Sequence, residues 1–233
     1  MHFKTTLLAA AVLLTAGSAH AALFDRGNGM VYDNTRNITW LADMNYAKTS
    51  GASSDGLMTW EAATKWAGTL SYGGYSGWRL PTLKSPDASC SGSSSTFGYS
   101  YGYNCTGGEL SGLFVAELGI KRGESVLNPT GDTDEQKANL KLFKNVPPLF
   151  TNFKPVIYWS GLIFCPDCAF PGAFDFSAES GAQNLVSIAA SRYVVVVRDG
   201  DVTSAVPEPE TYALMLAGLG LVAGIARRRS KLQ

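Results

Sequence analysis

Between residues 23 and 41 hydrophobic and polar positions alternate in short runs broken by turn residues. Leu23-Phe-Asp25 and Met30-Val-Tyr32 flank Gly27-Asn-Gly29, the pattern of a hairpin. Asp33-Asn34 starts a further turn, and Ile38-Thr-Trp-Leu41 reads as a further strand. After a polar loop at Gly51–Gly56 the period changes. Ala63, Trp66, Ala67 and Leu70 recur at helical spacing behind Thr59, a residue suited to capping, which predicts a helix over Trp60–Leu70. Tyr72-Gly-Gly-Tyr-Ser-Gly77 breaks it ahead of Trp78-Arg-Leu-Pro81. Leu110, Leu113, Phe114 and Leu118 predict a second helix over Glu109–Leu118, ended by Gly119 and Gly123; Leu140 and Phe143 anchor a third over Asp132–Lys144. Strand patterns return at Val156–Trp159, Ala173–Phe176, Asn184–Val186 and Tyr193–Arg198. Tyr193–Val197 is apolar on both faces, as expected of the most buried strand. Strands, then helices, then strands predict an α+β fold with short helices and antiparallel strands, not an alternating βαβ layout.

The two ends follow other rules. Lys4, the apolar run Leu7–Thr15 and the small-x-small site Ala19-His20-Ala21 read as a secretory signal peptide over residues 1–21, cut after Ala21. At the other end Val206-Pro-Glu-Pro209 precedes an uncharged run, Thr211–Ala226, and then Arg227-Arg228-Arg229. Pro207 and Pro209, on either side of Glu208, keep the segment extended and out of any strand ladder, as a protease substrate requires. The apolar run would span roughly 24 Å as a transmembrane helix at about 1.5 Å per residue. The arginines, with Lys231, belong on the cytoplasmic side. Gly220 and Gly224 have helix-packing spacing. Residues 206–233 resemble the PEP-CTERM sorting signal of Gram-negative bacteria. The resemblance implies export across the inner membrane, transient anchoring by the C-terminal helix, and cutting by an exosortase-type membrane protease. A permanent anchor is the plainer alternative.

Between the signals, residues 22–205 suffice for one domain with its own core. They hold 14 basic and 17 acidic residues, a net charge near −3, with no basic stripe to suit a nucleic-acid partner. His2 and His20, the two histidines, both lie in the signal peptide. A Ser-His-Asp triad, a Cys-His pair and a His-ligated zinc are therefore excluded from the exported domain. Four cysteines allow three pairings. Export favours disulfides, and locality favours Cys90–Cys105 and Cys165–Cys168. The first would close a loop built almost entirely of Ser, Gly and Tyr. The second has redox-motif spacing, but strand-end and loop flanks rather than a helix N-terminus.

The order of Asp33-Asn34, Trp40, Thr59-Trp60-Glu-Ala62, Gly73-Gly-Tyr-Ser-Gly-Trp-Arg-Leu-Pro-Thr82, Gly108-Glu-Leu110, Tyr158-Trp-Ser160 and the closing Tyr193–Arg198 run resembles the Lcl C-terminal-type domain over Leu23–Asp201. That resemblance implies a C-type-lectin-like fold and a non-enzymatic binder of carbohydrate or another extracellular polymer, in adhesion or biofilm matrix. The chain departs from the pattern in the Cys90–Cys105 insertion, in Asn128–Lys144 and at Gly161. A rival of another class is an oxidase of the formylglycine-generating type, for which Cys165 and Cys168 would be the reactive pair. A two-carboxylate glycosidase is a weaker rival, with no assignable pair.

Candidate chemistry is sparse: no catalytic residue, cofactor or metal site is assigned. Tyr99, Tyr101 and Tyr103 alternate with Ser100, Gly102 and Asn104, giving rigid aromatic surface beside adaptable polar groups, and form the expected recognition surface. A low-complexity insertion is the bland alternative. Trp78 and Trp159 are expected in the core, with Arg79 paired to a carboxylate or carbonyl. Asp132, Asp134 and Glu135 suit a helix N-terminus better than a calcium site. Asn37-Ile-Thr39 and Asn104-Cys-Thr106 match the glycosylation pattern, which carries little weight in a bacterial chain.

Overall fold

The computed structural model describes residues 23–144 and 148–202. The signal peptide, the Pro-Glu-Pro motif and the apolar run behind it lie outside the described residues. Among the described residues, no helix is long and apolar enough to cross a membrane.

The hairpin forms as expected: β1 (Leu23–Asp25) pairs antiparallel with β2 (Met30–Asp33). Gly27, Asn28 and Gly29 all take positive φ, which selects glycine at this turn. At Gly29 a Cβ would also collide with the Tyr72 hydroxyl. β2 pairs with β3 (Ile38–Leu41), β3 with β12 (Val197–Asp199), and β12 with β5 (Trp78–Arg79), completing an antiparallel five-stranded sheet. The second sheet runs in the order β10 (Ala182–Ser187), β9 (Gly172–Ser177), β8 (Ile157–Phe164), β11 (Arg192–Tyr193), β4 (Leu57–Met58). Its one parallel pairing is Tyr193 with Tyr158. A two-stranded ribbon, β6 (Gly92–Ser93) with β7 (Ser100–Tyr101), forms a separate small sheet joined to β10 by a single bridge from Gly102 to Gln183. The α+β expectation holds in this coarse form.

The expected closing strand is corrected. Tyr193–Arg198 is not one strand: β11 belongs to the second sheet, β12 to the first, and Val194–Val196 cross between them. The burial expectation holds, because the crossing runs between two packed clusters. Val195 and Val197 join one cluster with Trp40, Phe114, Tyr158, Phe174 and Phe176. Val194 and Val196 join the other with Met30, Leu41, Ala63, Trp78 and Trp159. A continuous apolar run satisfies both sides of that crossing as well as it would a sheet interior.

A short helix, α1 (Tyr46–Thr49), was not expected. Helix α2 (Trp60–Thr69) starts where Thr59 predicted, its hydroxyl accepting from the Ala62 amide at 3.4 Å; Ala63 and Ala67 form the buried face. The second expected helix is half right. Leu110, Leu113, Phe114 and Leu118 are all buried, but only α3 (Glu109–Ser111) is α-helical, and Gly112–Glu117 widens into a π turn. There the Leu118 amide reaches back to the Leu113 carbonyl at 3.0 Å. The cause lies in packing: the Arg36 guanidinium rests where a Cβ on residue 112 would be, and it bonds Asp33 and the buried Glu117 of the turn. Helix α4 (Asp134–Lys144) begins at a reciprocal cap. Thr133 accepts from the Gln136 amide at 3.1 Å, and Gln136 accepts from the Thr133 amide at 3.2 Å. Leu140 is buried as expected, while the Phe143 side chain lies outside the described residues.

Candidate functional site

The Ser/Gly/Tyr loop is an ordered platform. Cys90 and Cys105 are bonded, and the β6–β7 ribbon pairs Gly92 with Tyr101. A Cβ on residue 92 would meet the Tyr101 ring at 2.7 Å, so the ring lies flat across the glycine. Asp87 ties the base: it accepts from the Ser89 hydroxyl (2.7 Å), the Ser89 amide (2.9 Å) and the Gly107 amide (2.9 Å). Burial opposes its charge, but these bonds outweigh it and hold the carboxyl below the usual range. Buried Gln183 fastens the platform to β10. Its backbone exchanges two 2.7 Å hydrogen bonds with Gly102, and its side chain donates to the Lys84 and Ser100 carbonyls, both at 3.1 Å.

The second wall comes from the end of β8. Cys165 and Cys168 are bonded in a tight turn, with Cys165 at a φ of 47°, and the chain leaves it through Phe170 and Pro171 into β9. Between the walls lies a groove of about 370 Å³ lined by Phe97, Tyr99, Phe164, Phe170 and the β10 residues Leu185–Ser187. Gly172 forms part of its floor, where a Cβ would press on Leu185 at 3.0 Å. No charged side chain lines it. Tyr99 stacks on Phe97 (6.4 Å between centroids) and meets Phe164 (5.4 Å) and Phe174 (6.1 Å) edge-on.

The three tyrosines of the expected recognition surface therefore have different surroundings. Tyr99 is half-buried in the aromatic cluster, and Tyr101 is 42% exposed. Tyr103 carries the Arg122 guanidinium over its face at 4.7 Å. The most exposed rings are ones the sequence reading passed over: Phe170 at 94% and Phe97 at 64%. The available signal was an apolar residue placed beside a bridged turn.

Other candidates have structural surroundings. Trp78 and Trp159 are buried; their indole N–H groups donate to the Tyr75 carbonyl (3.1 Å) and the Met58 carbonyl (2.8 Å). Arg79 forks onto Glu109 with two 2.7 Å bonds and also reaches Asp199. Bonding to Glu109 first, then Asp199, raises its pKa. Asp132 pairs with Lys121 at 2.7 Å, and Asp134 and Glu135 fall in the first turn of α4, where acids favour the helix dipole. Among the described residues no group of three His, Cys, Asp or Glu could hold a metal ion. The bond between Cys165 and Cys168 leaves neither thiol free. A larger cleft of about 530 Å³ holds Asp25, Asp43, Tyr46 and Tyr72. Each of its two carboxylates is already capping a turn amide, Gly27 at 2.7 Å and Asn45 at 2.9 Å.

Comparison with known families decides one point. Residues 205–230 match the PEP-CTERM protein-sorting motif. Motifs of this kind are recognised by exosortase, so the chain is an exported protein sorted at the membrane and processed to the surface or exterior. No curated protein and no solved structure matches the chain. The likeness of residues 23–201 to the Lcl C-terminal-type domain gains no family match of its own.

Proposed function

We propose that the sorted domain is a non-enzymatic binder that holds an extracellular polymer at the cell surface or in a biofilm matrix, using the groove between the two bridged loops. One observation carries the reading. Two disulfides and Gln183 fix an uncharged aromatic groove whose most exposed rings, Phe97 and Phe170, face water. Leaving a large apolar ring exposed costs hydrophobic stabilisation of roughly 1.5–3 kcal/mol relative to burying it, and contiguous exposed patches of this kind mark interaction sites. Aromatic rings beside the Tyr99 and Ser187 hydroxyls suit the C–H faces of carbohydrate, the ligand class that the Lcl-type, lectin-like resemblance implies. Polypeptide is the other class whose side chains fit an apolar groove. The test is a screen of the full chain, held in detergent, against a glycan array and a panel of soluble polymers. The reading expects a binder whose capture disappears in Phe97→Ser/Phe170→Ser. Capture that is indifferent to that double change removes the groove from the account.

A further inference from the structure

β10 ends the second sheet; the platform covers the start of this edge through the Gly102–Gln183 bridge, and no strand pairs with the rest of it among the described residues. It is six residues long, Ala182-Gln-Asn-Leu-Val-Ser187, with no charge and no proline. The other sheet edges are two or three residues long: β4, β1 and β5. Long uncharged edges are what natural sheets ordinarily blunt, because their unpaired N–H and C=O groups invite another strand.

The backbone groups that face outward can be assigned. Gln183 gives both its N–H and its C=O to Gly102, away from β9, whereas the Ile188 amide points back to Pro171 at 3.4 Å. Antiparallel ladders alternate with period two, so Leu185 and Ser187 face outward with Gln183. The Ser187 carbonyl is taken by the Ala190 amide at 3.0 Å. Among the described residues, the Leu185 amide and carbonyl and the Ser187 amide have no partner. These groups border the same groove that Phe97, Tyr99, Phe164 and Phe170 line.

We propose that the polymer held by this groove is a polypeptide, docked in extended form as an added strand on β10 from Leu185 to Ser187, with apolar side chains at alternate positions entering the groove. The inference rests on the polymer-binding reading and names its ligand class. An extended peptide backbone supplies the alternating donors and acceptors that complete this edge, and the intramolecular Gly102–Gln183 pair already occupies the neighbouring register. A sugar would find few polar anchors: the groove's polar side chains are the Tyr99 and Ser187 hydroxyls. A second copy of the chain would gain three outward backbone groups, too short a ladder for an interface of about 1,200–2,000 Å².

The test begins with a displayed library of random octapeptides, panned on the full chain in detergent. Enriched sequences should carry apolar residues at alternate positions and no central proline. A synthetic enriched peptide should slow hydrogen exchange at the Leu185 and Ser187 amides at least tenfold. Methylating its backbone nitrogens at alternate positions should weaken binding at least tenfold in one of the two phases, and Leu185→Pro, which removes an outward N–H, should do the same. The methylated peptides leave the protein untouched, so the result stands even if Leu185→Pro disturbs folding. No enrichment, equal affinity in both methylation phases, or unchanged exchange overturns the inference. A soluble neutral β-glucan serves as the carbohydrate probe. If it binds, loses binding in Phe97→Ser/Phe170→Ser and keeps it in Leu185→Pro, the polypeptide inference falls and the polymer reading survives. If neither peptide nor glucan nor any other polymer binds, both fall. Exchange protection at Leu185 that rises with protein concentration alone assigns the edge to a second copy instead.

Discussion

Trp78→Ala should unfold the protein at markedly lower temperature without touching the recognition groove. The ring is 1% exposed, its N–H is held by the Tyr75 carbonyl, and it stands edge-on to Tyr72 at 6.2 Å. It belongs to the cluster of Met30, Ala63, Ala67, Leu80 and Trp159, which packs α2 on the sheets. Truncating a fully buried Trp costs roughly 3–5 kcal/mol, because apolar transfer is lost and a cavity remains. For a chain of this size each kcal/mol moves the midpoint by about 2–4 °C, so the transition should fall by roughly 6–20 °C. That is a large part of a typical domain's 5–15 kcal/mol. Calorimetry on the wild type and the variant reads the shift; polymer capture below the variant's midpoint reads the groove. A midpoint within about 2 °C of wild type together with lost capture would show Trp78-Arg79 to be the recognition motif and the structural assignment to be backwards.

The other predictions concern the bridges, the loop base and the tail. Cys90→Ser/Cys105→Ser should lower stability by about 3 kcal/mol, since the bridge spans 15 residues, whereas Cys165→Ser/Cys168→Ser, spanning 3, should cost little through chain entropy; thermal unfolding and non-reducing peptide maps check both, and a Cys90–Cys168 peptide would refute the pairing. The Asp87 carboxyl is held below its ordinary range, so its contribution is present above the unfolded-state pKa and is lost as pH falls through the lower folded value. Exchange at the Ser89 and Gly107 amides should therefore quicken on acidification in the wild type and be quicker already at neutral pH in Asp87→Asn; a wild type with no acid limb would contradict this. Protein from the native host should begin near Ala22 and lack Thr211–Gln233 by intact mass, and Pro207→Ala/Pro209→Ala should block the C-terminal cut. Recovery of wild type solely with Arg227–Gln233 attached would leave a plain anchor.

What the sequence reveals of this fold is mainly what is local. The Gly27–Gly29 turn, the Thr59 cap, the Leu110–Leu118 stripe and both bridges depend on residues close together in the chain, and each appears where its pattern places it. The π turn was hidden because its cause, the Arg36 guanidinium against Gly112, is set by an ion cluster joining distant segments. Val194–Val196 read as strand interior because an uninterrupted apolar run reports burial on two sides and not which sheet supplies each side. The groove itself was legible in half. The tyrosine loop announced one wall by composition, but Phe97 and Phe170 read as ordinary hydrophobic residues until β8–β10 bring the two bridged loops together.

The most direct test is capture of extracellular polymer from the producing host by the processed protein, compared among wild type, Phe97→Ser/Phe170→Ser and Tyr103→Ser. Phe170 is almost fully exposed, so its loss should leave stability within about ±0.5 kcal/mol. Losing two ring anchors should weaken capture by about 2 kcal/mol or more, roughly thirtyfold. Tyr103, already covered by Arg122, should be neutral. Capture undiminished in the double phenylalanine variant, or lost in Tyr103→Ser, contradicts the groove.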